Sequence, residues 1–70
     1  MNDTIANRLK TLRVEHGLSQ RQLADEMGVS NATISRIEKE ESIPDTKTLI
    51  AYVEQFCVSA DWILFGREAT

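Results

Sequence analysis

Residues Ser19–Glu38 have the sequence SQRQLADEMGVSNATISRIE, and this stretch decides the fold. Ser19 is followed three residues later by Gln22, which is the spacing of a capping box at the start of a helix. Gly28 stands where that helix should end, because glycine tolerates the positive φ that helix ends often adopt. Ser30 is then a second N-cap candidate. The stretch therefore predicts two short helices joined by a tight glycine turn.

The second of these helices has only a narrow apolar stripe. Ile34 and Ile37, three residues apart, are its large apolar side chains, so only one thin face can contact a core. The remaining positions carry small, amide, hydroxyl and basic side chains of the kinds that contact base edges in the DNA major groove. These positions are Asn31, Ala32, Thr33, Ser35, Arg36 and Lys39.

This pattern resembles the helix-turn-helix of the phage repressor and Cro-type (XRE) family of DNA-binding domains. The residues that carry the resemblance are Gly17-Leu18-Ser19-Gln20, Leu23-Ala24, Gly28-Val29-Ser30, Ile34-Ser35 and Glu38. The pattern is specific because it combines caps, a turn glycine and core positions, and the resemblance extends from about Ile5 to Gly66. It implies an all-α fold: a compact five-helix, lambda-repressor-like domain with the helix-turn-helix at helices 2 and 3.

The resemblance also implies a function. We expect a transcriptional regulator, acting as a repressor, that binds a palindromic DNA operator as a homodimer with helix 3 in the major groove. The expected DNA-binding residues are Gln20, Arg21, Ser30, Asn31, Ala32, Thr33, Ser35, Arg36 and Lys39. The expected dimer contact lies on helix 5, at Ala60 and Ile63; the alternative is that all the large apolar residues of this helix belong to the core of the same chain.

Individual roles follow from side-chain chemistry. Asn31 suits adenine, Arg36 suits guanine, and Ala32 suits a thymine methyl group, whereas Thr33 and Lys39 suit the DNA backbone. Ser35 is compatible with either kind of contact. Gln20 is expected to meet a phosphate and to support Asn31.

Three further expectations depend on the family pattern. Arg13 and Glu38 should form a largely buried ion pair between helices 1 and 3. Glu40 stands where the family usually has glycine, and the two carboxylates Glu40-Glu41 should weaken phosphate contacts by this loop. Cys57 stands where a glycine commonly ends helix 4; we expect a slightly different turn there and a buried thiol.

Apolar spacing predicts the remaining helices and the core. Helix 1 should cover residues 4–16 with Thr4 or Asp3 as its cap, and helix 4 about 46–56, capped by Asp45. A short helix with the sequence ADWILF should follow Ser59. The predicted core consists of Leu9, Leu12, Leu23, Met27, Ile34, Ile37, Leu49, Val53 and Trp62.

Composition limits the other possibilities. Seventy residues favour one domain, with a core about 4–66 and residues 67–70 as a tail or the start of a linker. One cysteine and one histidine predict neither a disulfide nor a metal site, and we expect no cofactor. The absence of a long apolar run or a signal-like N-terminus predicts no membrane association and a cytoplasmic location.

Charge leaves a second class of function open. Residues 1–39 have six basic and five acidic residues, whereas 40–70 have two basic and six acidic ones, giving the total of −3. The acidic total and Glu40-Glu41 are compatible with a protein-interaction module that has lost DNA binding. Arg36, and the lack of any acid in helix 3 before Glu38, favour DNA. An enzyme is not predicted, because no nucleophile, carboxylate pair or phosphate loop is placed for catalysis.

Overall fold

A computed structural model describes residues 4–67. Within this range the chain forms five α-helices and no β-strand, which confirms the predicted all-α fold. The helices are α1 (Ile5–Glu15), α2 (Gln20–Met27), α3 (Asn31–Glu38), α4 (Thr46–Phe56) and α5 (Ala60–Phe65). Residues 68–70 of the predicted tail lie outside the described residues.

The N-caps confirm the predicted helix starts. In each helix the side-chain oxygen of the cap accepts a hydrogen bond from the backbone N–H three residues later, which satisfies one of the unpaired donors of the first turn. At α2 the capping box is complete, since the Gln22 amide oxygen also accepts from the Ser19 N–H at 2.8 Å. Asp3, the alternative cap of α1, lies outside the described residues. The caps are Thr4, Ser19, Ser30, Asp45 and Ser59.

Helices α1 and α3 end in the same hydrogen-bond pattern with different residues at the left-handed position. After α1, Gly17 adopts a φ of 70°, and its N–H donates to Val14 while that of Leu18 donates to Arg13. After α3, Glu40 adopts a φ of 63°, and its N–H donates to Ile37 while that of Glu41 donates to Arg36. This is the Schellman arrangement, in which glycine is favoured at the left-handed residue.

The prediction for Cys57 was wrong in both parts. Cys57 adopts a φ of 54°, the same left-handed conformation that glycine would use, and its side chain is exposed. The cysteine therefore adopts the left-handed conformation that was expected of a glycine at this helix end. A positive φ disfavours residues with a Cβ, so this position is strained.

The core has the predicted composition in α1 and α3, differs at one position in α2, and differs more in α4 and α5. Leu9, Leu12, Leu23, Ile34 and Ile37 are buried as predicted, whereas Met27, Leu49, Val53 and Trp62 are only partly buried and pack against the core. The buried stripe of α4 is formed by the i, i+4 series Thr48, Tyr52 and Phe56. Thr48 and Tyr52 thus take the buried positions predicted for Leu49 and Val53, and Ile50 is exposed.

Candidate DNA-binding surface

Helix α3 presents its polar side outward because its two large apolar residues point inward. Ile34 and Ile37 are 0% and 2% exposed, and they anchor the helix to the core. Of the predicted reading residues, Asn31, Ala32, Arg36 and Lys39 are exposed, and Thr33 and Ser35 are half-buried. The structure therefore gathers these six side chains on and around one accessible helix.

The turn before α3 depends on Gly28. This residue adopts a φ of 73°, and the next residue, Val29, donates its N–H to the carbonyl of Ala24 at 3.0 Å. A Cβ at Gly28 would meet no atom within 4 Å, so glycine is needed here for its backbone conformation and not for space. The turn sets the direction in which α3 leaves α2.

The side chain of Ser30 is the N-cap of α3. Its hydroxyl accepts from the Thr33 N–H at 3.1 Å and lies 2.8 Å from the Thr33 hydroxyl. The pair fixes the first turn of α3 and leaves Ser30 exposed beside Asn31. Arg21, another expected contact, is exposed on α2.

Arg13 and Glu38 form the expected ion pair. Arg13 Nε donates to Glu38 Oε2 at 2.7 Å and Arg13 Nη2 donates to Oε1 at 3.0 Å, so the contact is bidentate. The two side chains are only 13% and 3% exposed. The hydrogen bond to Glu38 raises the pKa of Arg13, which keeps the guanidinium charged. The one acidic residue of α3 is therefore neutralised and withdrawn from the polar face.

Gln20 makes a contact that the sequence did not predict. Its side-chain Nε2 donates to Glu38 Oε1 at 3.1 Å. In the free protein the Gln20 amide is therefore held by the carboxylate of the buried ion pair, and its contacts with a phosphate and with Asn31 stay predictions. The link joins residues 18 apart in sequence, at the start of α2 and the end of α3.

The loop between α3 and α4 has an unexpected apolar residue. Ile43 is 76% exposed and lies in a groove of about 370 Å³ that is also lined by Thr33 and Arg36. Glu40 and Glu41 are both exposed in the same loop. In the sequence, the only indication of this exposed apolar side chain was a single isoleucine within the polar segment KEESIPD.

Helix α5 does not present its predicted contact residue. Ile63 is 0% exposed in the core of its own chain, and its carbonyl accepts a hydrogen bond from Arg8 Nε at 3.0 Å. The assignment of Ile63 to a dimer interface is therefore wrong, because none of its side chain is left for a second copy. Ala60 is half-buried.

The exposed apolar residues of α5 are its last two. Leu64 is 37% and Phe65 is 59% exposed, and the guanidinium of Arg67 lies 4.9 Å from the centre of the Phe65 ring. A patch of this kind on a small domain is typical of an interaction surface.

Residues 4–67 contain no group of three or more His, Cys, Asp or Glu side chains arranged to hold a metal ion. In the same part of the chain, no helix has the length and apolar character to cross a membrane.

Helices α2 and α3 form a helix-turn-helix. Both are short and capped, a glycine turn joins them, and α3 has an accessible polar face. Residues 9–63 match the family model described as helix-turn-helix, HTH_3. The chain therefore belongs to the XRE-type helix-turn-helix family, whose relatives include phage repressors.

Named relatives agree with this assignment. The HTH-type transcriptional regulator ImmR of Bacillus subtilis is 31% identical over 67 residues, covering 96% of this chain and 53% of the relative. The HTH-type transcriptional regulator DicA of Escherichia coli is 36% identical over 67 residues, covering 96% of this chain and 50% of the relative. The chain thus spans about half the length of these regulators.

Solved structures share the fold. The P22 c2 repressor, in a complex with a synthetic operator, superposes with a TM-score of 0.88 at 29% identity over 94% of this chain and 100% of the repressor chain. A chain of the SinR–SinI protein complex superposes with a TM-score of 0.81 at 30% identity, covering 89% of this chain and 61% of the other.

Proposed function

We propose that this domain is a sequence-specific DNA-binding transcriptional regulator, acting as a repressor. It binds a palindromic operator as a homodimer, with α3 of each copy in the major groove of one half-site and the half-sites about one helical turn apart. The observation that carries the proposal is the polar face of α3. That face is accessible, includes Arg36 and Lys39, and has no free carboxylate, because Glu38 is buried against Arg13.

The proposed contacts divide by chemistry. Asn31, Ala32 and Arg36 lie exposed on α3, where they can reach base edges, and arginine can donate two hydrogen bonds to a guanine. Gln20, Arg21, Ser30, Thr33, Ser35 and Lys39 surround them and suit the sugar-phosphate backbone, which receives most protein–DNA hydrogen bonds. The operator complex of the similar P22 c2 repressor supports DNA as the partner.

Arg36 provides the direct test. A DNA pool with a random segment is first used to select the preferred site, and affinities for this site and for random DNA are then compared. Arg36→Ala should weaken binding to the selected site by about 1–3 kcal/mol per half-site and relax selection at one base pair of each half-site, because a bidentate guanine contact is lost in each. Lys47→Ala, an exposed basic residue of α4, serves as the charge-matched control.

The outcomes separate the candidate functions. Equal loss on both DNAs with Arg36→Ala would assign Arg36 to phosphate and not to a base. A parent protein that binds neither DNA at low salt, and enriches no sequence, would contradict DNA binding altogether. That result would favour a protein-interaction module.

The dimer is proposed to use the exposed end of α5, with Ala60 at its edge. Phe65→Ser should lower the self-association constant and weaken operator binding, while Ile50→Ser, which removes a similarly exposed apolar side chain from α4, should change neither. Sedimentation measures the first effect. Unchanged self-association of the Phe65 variant would place the interface elsewhere.

The location of the protein and the extent of the domain are the remaining parts of the proposal. The named relatives are bacterial regulators, and operator DNA in a bacterial cell lies in the cytoplasm, so we propose a cytoplasmic location. We also propose that residues 1–70 form one domain, with no cofactor and no catalytic step.

A further inference from the structure

We infer that Glu38 is a positioning residue for DNA binding: its carboxylate, held by Arg13, orients the Gln20 amide that contacts a DNA phosphate. This inference rests on the proposed function. It goes beyond the ion pair between α1 and α3, because it gives the pair a role on the DNA-binding surface.

The geometry places one carboxylate oxygen between two donors. Glu38 Oε1 accepts from Arg13 Nη2 at 3.0 Å and from Gln20 Nε2 at 3.1 Å, while Oε2 accepts from Arg13 Nε at 2.7 Å. Arg13 alone already bonds to both oxygens, so the Gln20 contact is additional to the ion pair. The same guanidinium donates from Nη1 to the Leu18 carbonyl at 2.8 Å, which holds the segment that leads into α2.

The contact with Glu38 fixes the orientation of the Gln20 side-chain amide. An ionised carboxylate only accepts hydrogen bonds, whereas a glutamine amide has an NH₂ donor end and a carbonyl acceptor end. The NH₂ group must therefore face Glu38, and it retains a second hydrogen for another acceptor. Gln20 is half-buried at the first position of α2, where the unpaired backbone N–H groups also favour an anion.

This arrangement assists DNA binding in two ways. A glutamine side chain that is already ordered loses less conformational freedom when the phosphate arrives. Arg13 also neutralises the carboxylate, so the group that orients Gln20 does not repel the phosphate beside it. A buried ion pair that served stability alone would need neither feature.

A double-mutant cycle tests the inference. Four proteins are compared: the parent, Gln20→Met, Glu38→Gln and the double variant. Affinity is measured for the selected operator and for random DNA, and urea unfolding gives the folded fraction by which each affinity is corrected. Gln20→Met should weaken binding to both DNAs by about tenfold or more, the loss expected for one hydrogen bond to a charged phosphate.

Glu38→Gln should produce a similar loss in the parent and no further loss when Gln20→Met is already present. Equal losses in both backgrounds would overturn the inference, because Glu38 would then affect DNA binding independently of Gln20. No corrected loss in either background would also overturn it, because Glu38 would then act through stability alone. Unchanged affinity of Gln20→Met would also overturn it. A parent that binds no DNA would instead contradict the proposed function, so the two failures are distinguishable.

Gln22→Met is the matched control on the same helix. The Gln22 amide accepts from the Ser19 N–H at 2.8 Å and completes the capping box, so its loss should lower stability without lowering the corrected affinity. If Glu38→Gln does not fold, NMR relaxation of the Gln20 side-chain amide in the parent decides together with Gln20→Met. An amide as mobile as an exposed glutamine overturns the inference; an ordered one, with the affinity loss, supports it.

Discussion

Glu40→Gly should stabilise the domain, because Glu40 adopts a left-handed backbone conformation that favours glycine. Its φ of 63° closes the Schellman arrangement after α3, where Gly17 closes the matching arrangement after α1 at a φ of 70°. A left-handed conformation costs a residue with a Cβ roughly 1–2 kcal/mol. Glycine avoids that cost but loses about 0.5–1 kcal/mol more backbone entropy on folding. The net gain in the free energy of unfolding is therefore about 0.7 kcal/mol, from a range of roughly 0–1.5 kcal/mol.

Glu41→Gly is the matched control. It removes the same charge one residue later, at a position whose φ is not positive, so only the entropic cost of glycine applies. This variant should lose about 0.5–1 kcal/mol. Since about 1 kcal/mol moves the melting temperature of a domain this small by roughly 4–8 °C, the two variants should move in opposite directions by a measurable amount.

Urea unfolding and thermal melting followed by circular dichroism at 222 nm would measure both variants. Equal changes would refute the reasoning, since they would show that the lost charge, and not the left-handed backbone, determines stability at this loop. A destabilised Glu40→Gly variant beside a neutral Glu41→Gly variant would refute it as well. The comparison requires no DNA, so it is independent of the proposed function.

Three other predictions concern acid stability, the core and DNA affinity. The hydrogen bond from the Thr48 N–H lowers the pKa of the Asp45 carboxyl in the folded protein. The stability that the charged form contributes is therefore present above the ordinary pKa of 3.8 and is lost as the pH falls through the lower folded value. Asp45→Asn should flatten this part of the pH–stability curve measured by urea unfolding. Tyr52 is fully buried, its hydroxyl has no hydrogen-bond partner among the described residues, and burial raises its pKa. Tyr52→Phe should therefore raise the free energy of unfolding by about 1 kcal/mol. A decrease of that size in the free energy of unfolding would instead show that the hydroxyl has a partner. Replacing Glu40 and Glu41 with lysine should tighten binding to all DNA. The slope of log affinity against log salt concentration should steepen by up to about 0.9 per added phosphate contact. An unchanged slope in a filter-binding assay would place this loop away from DNA.

Local signals explain what could be predicted from the sequence. The caps at Ser19, Ser30 and Asp45 and the turn at Gly28 each depend on residues within five positions of one another, so these helix boundaries followed from spacing alone. The family resemblance added the Arg13–Glu38 pair, which no local pattern indicates.

Tertiary packing explains what could not be predicted. On α4, Leu49 and Val53 form as regular a stripe as Thr48 and Tyr52, and only packing selects the second set for burial. Burial of Ile63 likewise depends on α1, and the Gln20–Glu38 contact joins the two ends of the helix-turn-helix. Spacing cannot show such contacts, because they depend on how whole helices are oriented.

The hydrogen bond from Arg8 to the Ile63 carbonyl has a consequence for the order in which the chain folds. It joins residues 55 apart, and α5 has only six residues, too few to be stable as an isolated helix. We therefore expect α5 to dock late, after the helices on which it packs have met, and to detach early on unfolding. During synthesis α5 must leave the ribosome before Arg8 can meet its acceptor on Ile63. Until then the hydrophobic site that Ile63 fills stays open, so the nascent helix-turn-helix domain is most vulnerable to aggregation and proteolysis just before α5 packs.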